Sequence, residues 1–195
     1  MKEYYPRVSD RLLLEHLESK GAVLIEGAKW CGKTTSAKHV AKSVIEMDSP
    51  DKTEQYQQMA RINPLNLLIG EVPHLIDEWL WNAVRYEVDQ RGEFGQFILT
   101  GSSVPAGLDE SMHTGTGRIV RMQMRPMSLY ESGDSSGTVS LMDLFEGKDI
   151  SAVNHDSIDK VAFLICRGGW PTSLNRSEKI ALKQAFDYYD AVVKD

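Results

Sequence analysis

A short stretch of the chain places glycine, lysine and threonine at a spacing that suits the binding of phosphate groups. It reads Gly27-Ala28-Lys29-Trp30-Cys31-Gly32-Lys33-Thr34 and matches the pattern G-x-x-x-x-G-K-[ST]. The two glycines let the backbone close around a phosphate without a Cβ in the way. Lys33 would place a cation on the β- and γ-phosphates, and Thr34 would offer its hydroxyl to Mg²⁺. An apolar strand candidate precedes the loop and a helix candidate follows it, as in phosphate-binding loops.

We therefore predict that this loop binds a nucleotide. The predicted contacts are Gly27, Ala28, Lys29, Trp30, Cys31, Gly32, Lys33, Thr34 and Thr35. Cys31 lies near the start of the following helix, a place where the pKa of a thiol can fall. Two interpretations of this cysteine stay open: a redox-sensitive brake on nucleotide binding, and a small residue that simply fits, which is the favoured one.

Two carboxylates, Asp77 and Glu78, follow a second apolar segment that is predicted to be a strand. Downstream of a phosphate-binding loop, the first carboxylate of such a pair holds Mg²⁺. The second can act as the general base for an attacking water molecule. The competing interpretation is an acidic helix start, which the helix dipole favours.

Two further candidates lie after these motifs. The loop and the acidic pair resemble those of the additional-strand, catalytic-glutamate class of P-loop ATPases. This resemblance implies a polar sensor of the γ-phosphate after the next strand candidate, for which Ser102 is the first choice and Thr100 the second; a solvated Ser-Ser loop is the alternative. Arg118 stands at the start of the last strand candidate and could reach a phosphate or a neighbouring subunit's nucleotide as an arginine finger. The alternative for Arg118 is a surface arginine at the start of a strand.

Composition excludes several classes of protein. The net charge of −6 over 195 residues argues against a strongly basic nucleic-acid module, although it leaves room for a local basic patch. The two cysteines form neither a disulfide framework nor a zinc motif, which fits a reducing, cytoplasmic setting. No apolar run approaches the ~18 residues of a membrane helix, and the polar start predicts no signal peptide.

The elements that must position these residues follow an alternating pattern. The predicted order is helix 11–20, strand 22–25, helix 33–42, strand 43–47, helix 53–62, strand 74–77, helix 79–91, strand 96–100, loop 101–117, strand 118–124, and helices 141–145, 158–167 and 177–193. Alternation of strands and helices predicts an open α/β sheet. We expect an α/β core over residues 1–127 and a helical appendage over 128–195.

Taken together, the motifs resemble one family, the AAA+-like prokaryotic ATPases with an N-terminal ATPase domain and a C-terminal domain of unknown function. The matching stretches are Tyr5-Pro6-Arg7, Gly27 to Thr35, Leu75-Ile76-Asp77-Glu78-Trp79, Phe97-Ile98-Leu99-Thr100-Gly101-Ser102, Gly115-Thr116-Gly117-Arg118, Arg125-Pro126-Met127-Ser128-Leu129-Tyr130-Glu131 and Gly168-Gly169-Trp170-Pro171.

This resemblance implies a three-layer α/β/α P-loop fold with a parallel sheet of order 5-1-4-3-2, and Mg-ATP as the ligand. Members are usually about twice as long, so we expect this chain to be the ATPase domain without its C-terminal domain. The segment after Glu78 is also shorter than is usual in the family, because Trp79-Leu80-Trp81 runs directly into a helix.

The sequence predicts an ATP-binding, ATP-hydrolysing domain that couples nucleotide state to a partner, another copy or the missing domain. A non-catalytic ATP-dependent switch and a small-molecule kinase stay open as alternatives, and a role with nucleic acid is not indicated. A GTPase is disfavoured because the guanine-recognition sequence Asn-Lys-x-Asp is absent from the chain.

Overall fold

The computed structural model describes residues 4–42, 44, 78–101 and 115–194. The predicted helix 53–62 and strand 74–77 lie outside these residues, as do all but one residue of strand 43–47 and most of loop 101–117. The chain divides into two compact units, Met1–Arg125 and Pro126–Asp195.

The described part of the first unit is an α/β arrangement. Its elements are α1 (Val8–Ser19), β1 (Ala22–Glu26), α2 (Lys33–Val40), α3 (Glu78–Arg91), β2 (Phe97–Thr100) and β3 (Ile119–Gln123). The three strands form a parallel sheet of order β2-β1-β3. In the numbering of the predicted strands this is 4-1-5; the second and third predicted strands lie outside the described region.

β1 lies between the other two described strands, and its sequence explains why. Residues 22–25 form a continuous apolar run, and all four are buried. Such a run is typical of a strand covered on both faces in a parallel sheet, as was predicted. β3 alternates instead: Met122 is buried between the exposed Arg121 and Gln123. Alternating burial of this kind is typical of a strand with one less buried face.

The helices differ from the prediction mainly at their ends. α1 begins at Val8, three residues before the predicted start, because the Asp10 carboxylate accepts a hydrogen bond of 2.7 Å from the Arg7 backbone N–H. This bond satisfies an amide that would otherwise lack a partner at the helix start. α2 ends at Val40 rather than residue 42. The four-residue repeat Leu80, Val84 and Val88 predicts an apolar face on α3; Val84 and Val88 are buried, and the side chain of Leu80 lies outside the described residues. Trp81 is buried as well.

The second unit is helical in its described part. It contains α4 (Leu141–Phe145), α5 (Ile158–Arg167), a 3-10 turn (Pro171–Ser173) and α6 (Glu178–Lys194). The predicted bounds of the first two helices are confirmed, and α6 is shifted by one residue. Ser140 and Ser157 cap the starts of α4 and α5 with their hydroxyl oxygens.

A buried ion pair joins α5 to the segment that precedes it in the chain. Arg167 is 6 % exposed and donates from Nη2 to the Asp134 carboxylate at 2.8 Å. Ser132 donates to the same carboxylate at 2.7 Å, and the Lys160 ammonium lies 3.5 Å away. Burial by itself would raise the pKa of Asp134, but these donors and charges hold it below the ordinary value of an aspartate.

Candidate nucleotide-binding site

The glycine-rich loop connects the end of β1 to the start of α2, so the predicted strand–loop–helix arrangement is present. Glu26 is the last residue of β1 and Lys33 is the first of α2. Gly27 has φ = 145° and Gly32 has φ = 105°. Both values lie where side chains are strongly disfavoured, which explains the glycines of the motif. Trp30 also has a positive φ, 66°, and its side chain is 55 % exposed.

The exit from β3 packs against the base of this loop. The Met124 N–H donates to the Glu26 carbonyl at 2.7 Å. A Cβ placed on Gly27 would overlap the carbonyl oxygen of Met124, so the backbones touch directly at this point. The same Met124 oxygen lies 3.7 Å from Sγ of Cys31, which is fully buried. This burial favours the interpretation of Cys31 as a packing residue.

Lys33 lies folded under the loop. Its side chain is 2 % exposed, and Nζ donates to the carbonyls of Gly27 and Ala28, both at 2.9 Å. Two carbonyl acceptors compensate part of the cost of burying the ammonium. A phosphate bound inside the loop would offer the same ammonium an anionic acceptor, which forms a stronger hydrogen bond than a neutral carbonyl.

The start of α2 adds a second favourable feature for an anion. Gly32 occupies the N-cap position and has no side chain to satisfy the first amides of the helix. The first helical backbone bond is that from the Ser36 N–H to the Gly32 carbonyl, at 3.0 Å. The amides of residues 33–35 therefore precede the regular ladder, and the positive end of the helix dipole lies beside the loop. Phosphate groups bind at helix starts of this kind.

The remaining loop residues differ in exposure. Lys29 and Thr35 are exposed, whereas Ala28 and Thr34 are partly buried. Thr34 is the second residue of α2, directly after the lysine, which places its hydroxyl in the first helical turn. All nine predicted loop contacts thus lie in one continuous segment around the start of α2.

Sequence reasoning assigned no role to the segment before α1, which contacts the loop from outside. Arg7 is 8 % exposed; Nη1 donates to the Cys31 carbonyl and Nη2 to the Arg125 carbonyl, each at 2.8 Å. No sequence signal marked these contacts, because the predicted helix began only at residue 11 and both acceptors are backbone carbonyls of distant segments.

Tyr4, in the same segment before α1, contacts two residues of α2. Its hydroxyl donates to Asp10 at 2.8 Å and lies 3.0 Å from the Ser36 hydroxyl oxygen. Its ring stacks on His39 with centroids 3.9 Å apart. Burial is the largest cause that raises the pKa of Tyr4 to about 12; Asp10 raises it further and Ser36 opposes the rise.

The other predicted site residues lie only partly within the described structure. Glu78 is the first residue of α3, but its side chain is outside the described part, as are Asp77 and Ser102. Thr100, the second choice for the γ-phosphate sensor, ends β2 beside Ile25 of β1. It is fully buried, and its hydroxyl has no hydrogen-bond partner among the described residues.

Arg118 is separated from the loop of its own chain. Its carbonyl accepts from the N–H of Ala22, the first residue of β1, whereas the loop leaves β1 after Glu26. Four strand steps, about 13 Å, therefore lie between the two ends of the strand. The Arg118 guanidinium pairs with Asp89 of α3, and this hydrogen bond raises the pKa of Arg118 above its ordinary value. The structure does not bring Arg118 together with Lys33.

Comparison with known families gives one decisive match. A family model described as an AAA domain matches residues 19–133, which include the loop, α2, α3 and the three strands. The chain belongs to the AAA family of P-loop ATPases. The resemblance inferred from the sequence motifs is thereby confirmed, and a nucleotide-binding, ATPase-like function follows for the AAA domain. A comparison with curated proteins gives no match.

Two features are absent from the described residues. None of the helices in this part of the chain has the length and apolar character needed to cross a membrane. Within the same residues, no group of three or more histidine, cysteine or acidic side chains converges as a metal site would require.

Proposed function

We propose that this AAA domain binds Mg-ATP at the Gly27–Thr35 loop, hydrolyses it, and couples the nucleotide state to a partner or a further domain. One observation carries the proposal. The loop closes over the Lys33 ammonium beside the uncapped start of α2, so a cation and several backbone amides converge where a phosphate chain would bind.

Each residue has a proposed role. Lys33 neutralises the β- and γ-phosphates, and the loop amides hold the phosphate oxygens. Glu78 activates the attacking water. Ser102, which follows β2 in the sequence, senses the γ-phosphate. We propose a three-layer fold with a sheet of order 5-1-4-3-2. The described order β2-β1-β3 supports it, because these strands would be the fourth, first and fifth.

A magnesium ion fits the donors that the chain offers at this point. Thr34 carries its hydroxyl in the first turn of α2, next to the lysine. Hydroxyl and carboxylate oxygens are hard ligands that suit Mg²⁺, with the remaining positions filled by water and phosphate. We propose Thr34 and Asp77 as the protein's contribution. When bound, the ion would neutralise charge on the phosphates.

The exchange of Glu78 for glutamine tests the hydrolytic step. We expect Glu78→Gln to lower the rate of phosphate release from Mg-ATP by about 10²–10⁴-fold, because glutamine cannot accept the proton of water. Affinity for Mg-ATP should stay within about threefold. Glu93→Gln, the same exchange at an exposed position outside the site, is the matched control and should retain wild-type turnover.

The outcomes separate the competing functions. Unchanged turnover in Glu78→Gln would remove this glutamate from the mechanism. Tight ATP binding without phosphate release in the wild type would indicate a nucleotide-dependent switch. Phosphate recovered on an acceptor molecule instead of in solution would indicate a kinase.

We further propose that Arg118 acts on the nucleotide of a neighbouring subunit, since it lies at the opposite end of the sheet from its own loop. Arg118→Ala should then lower turnover at least tenfold while ATP affinity is unchanged. Mixing this variant with Lys33→Ala should restore part of the activity, because each supplies what the other lacks. Asp89→Ala, which keeps the arginine but removes its ion-pair partner, is the control. Absence of recovery on mixing would contradict the role in trans.

A further inference from the structure

Arg7 lies against the outer side of the phosphate-binding loop, and its contacts give it a role beyond stabilising α1. We propose that Arg7 is a positioning residue that holds the peptide between Cys31 and Gly32 in the orientation needed to bind phosphate. The inference rests on the proposed binding of nucleotide at this loop. It assigns a function in the same site to a side chain that need not touch the ligand.

The guanidinium connects two segments that are distant in sequence. Nη1 donates to the carbonyl of Cys31 inside the loop, and Nη2 donates to the carbonyl of Arg125 beyond β3, both at 2.8 Å. The planar fork of an arginine can serve two acceptors at once with fixed geometry, which a lysine ammonium cannot do equally well. The side chain is 8 % exposed, so these bonds are shielded from competition by water.

The contact at the Cys31 carbonyl also fixes the orientation of the Gly32 N–H, because both belong to one peptide unit. The peptide unit is planar and trans, so the Cys31 carbonyl and the Gly32 N–H point in opposite directions. Arg7 draws the carbonyl toward itself and thereby turns the Gly32 N–H away from itself. Gly32 is the N-cap of α2 and has φ = 105°, a conformation in which a glycine peptide rotates easily unless it is held.

Hydrogen bonds fix both the backbone of Arg7 and the segment that its guanidinium contacts. Its backbone N–H donates to the Asp10 carboxylate at 2.7 Å, and its carbonyl accepts from the Asp10 N–H at 3.0 Å. On the other side, the Met124 N–H bonds to Glu26, which anchors the β3 exit where Arg125 lies. Arg7 therefore connects the start of α1 to the exit from β3, and its hydrogen bond holds the Cys31 carbonyl of the loop in place.

Two ligands distinguish this role from a direct contact with the base. Tripolyphosphate carries the phosphate chain of ATP without adenosine. If Arg7 orients the loop, its loss must weaken tripolyphosphate and Mg-ATP alike. If Arg7 instead contacted the adenosine part, tripolyphosphate affinity would not change.

The experiment measures dissociation constants of Mg-ATP and tripolyphosphate for the full chain by calorimetry, below the unfolding temperature of every variant. Arg7→Ala should weaken both ligands at least tenfold, and Arg7→Lys should give an intermediate loss because it keeps the charge but loses the fork. Arg7→Lys alone decides the matter if Arg7→Ala does not fold. Arg167→Ala is the matched control, since it removes an equally buried arginine from the second unit, and both affinities should stay within twofold.

Wild-type affinities in Arg7→Ala, or in Arg7→Lys where only that variant folds, would overturn the inference, as would a loss confined to Mg-ATP. Failure of the proposed function gives a different pattern. If the wild type does not bind Mg-ATP, or binds it no better than Lys33→Ala does, the loop is not the nucleotide site, and the role of Arg7 falls with it.

Discussion

Replacement of Lys33 by alanine is expected to weaken Mg-ATP binding by about 10²–10³-fold. The ammonium already lies under the loop, 2.9 Å from two of its carbonyls, and needs only a small movement to reach a phosphate oxygen. Hydrogen bonds to charged groups contribute about 1.5–3 kcal/mol each. At the lower end of this range, loss of contacts to two phosphates corresponds to about 3–4 kcal/mol, which is about a 10²–10³-fold change in the dissociation constant. Calorimetric titration with Mg-ATP measures this change.

Lys38→Ala supplies the control, because this exposed lysine lies on the same helix, five positions further along. Its removal alters net charge to the same extent without touching the loop, so long-range attraction of the polyphosphate changes equally in both variants. Equal affinities in Lys33→Ala and Lys38→Ala would show that Lys33 makes no specific contact with the nucleotide.

Substitution of Gly27 by alanine is expected to destabilise the fold by about 2–6 kcal/mol and to remove nucleotide binding. The new Cβ would overlap the Met124 carbonyl oxygen, which belongs to backbone rather than to a side chain that can turn away. Overpacking of this kind costs roughly 1–3 kcal/mol. The φ of 145° adds strain of about 1–3 kcal/mol for a residue other than glycine. Urea unfolding measures the sum.

Gly92→Ala separates the two causes. Gly92 has φ = 63° at the end of α3, and a Cβ there would meet no heavy atom within 4 Å. This variant incurs only the conformational penalty, about 1–2 kcal/mol. A loss of stability in Gly27→Ala no larger than that in Gly92→Ala would contradict the close contact between the loop and the β3 exit.

Structural features that depend on a local pattern of residues could be predicted from the sequence. The spacing of Gly27, Gly32 and Lys33 predicted a loop between a buried strand and a helix, and the structure has one. The apolar run at residues 22–25 predicted a buried strand of a parallel sheet, and all four residues are buried. These features are local, because a buried strand needs an apolar run and a turn with positive φ needs glycine.

Features that depend on contacts between distant segments could not be predicted. Nothing near Arg7 in the sequence indicates that its partners are the carbonyls of Cys31 and Arg125. The separation of Arg118 from the loop follows from the parallel register, in which Ala22 pairs with Ile119. The hydrogen bond from Lys33 to the carbonyl of Gly27 likewise depends on the conformation of the loop backbone.

The central claim is that phosphate binds within the Gly27–Thr35 loop. The most direct test is a ¹H–¹⁵N correlation spectrum of the full chain during titration with Mg-ATP. We predict saturable shifts of the loop amides, Gly32 and Lys33 among them, and their loss in Lys33→Ala. Saturable binding with unchanged loop amides, or shifts that persist in Lys33→Ala, would contradict the account.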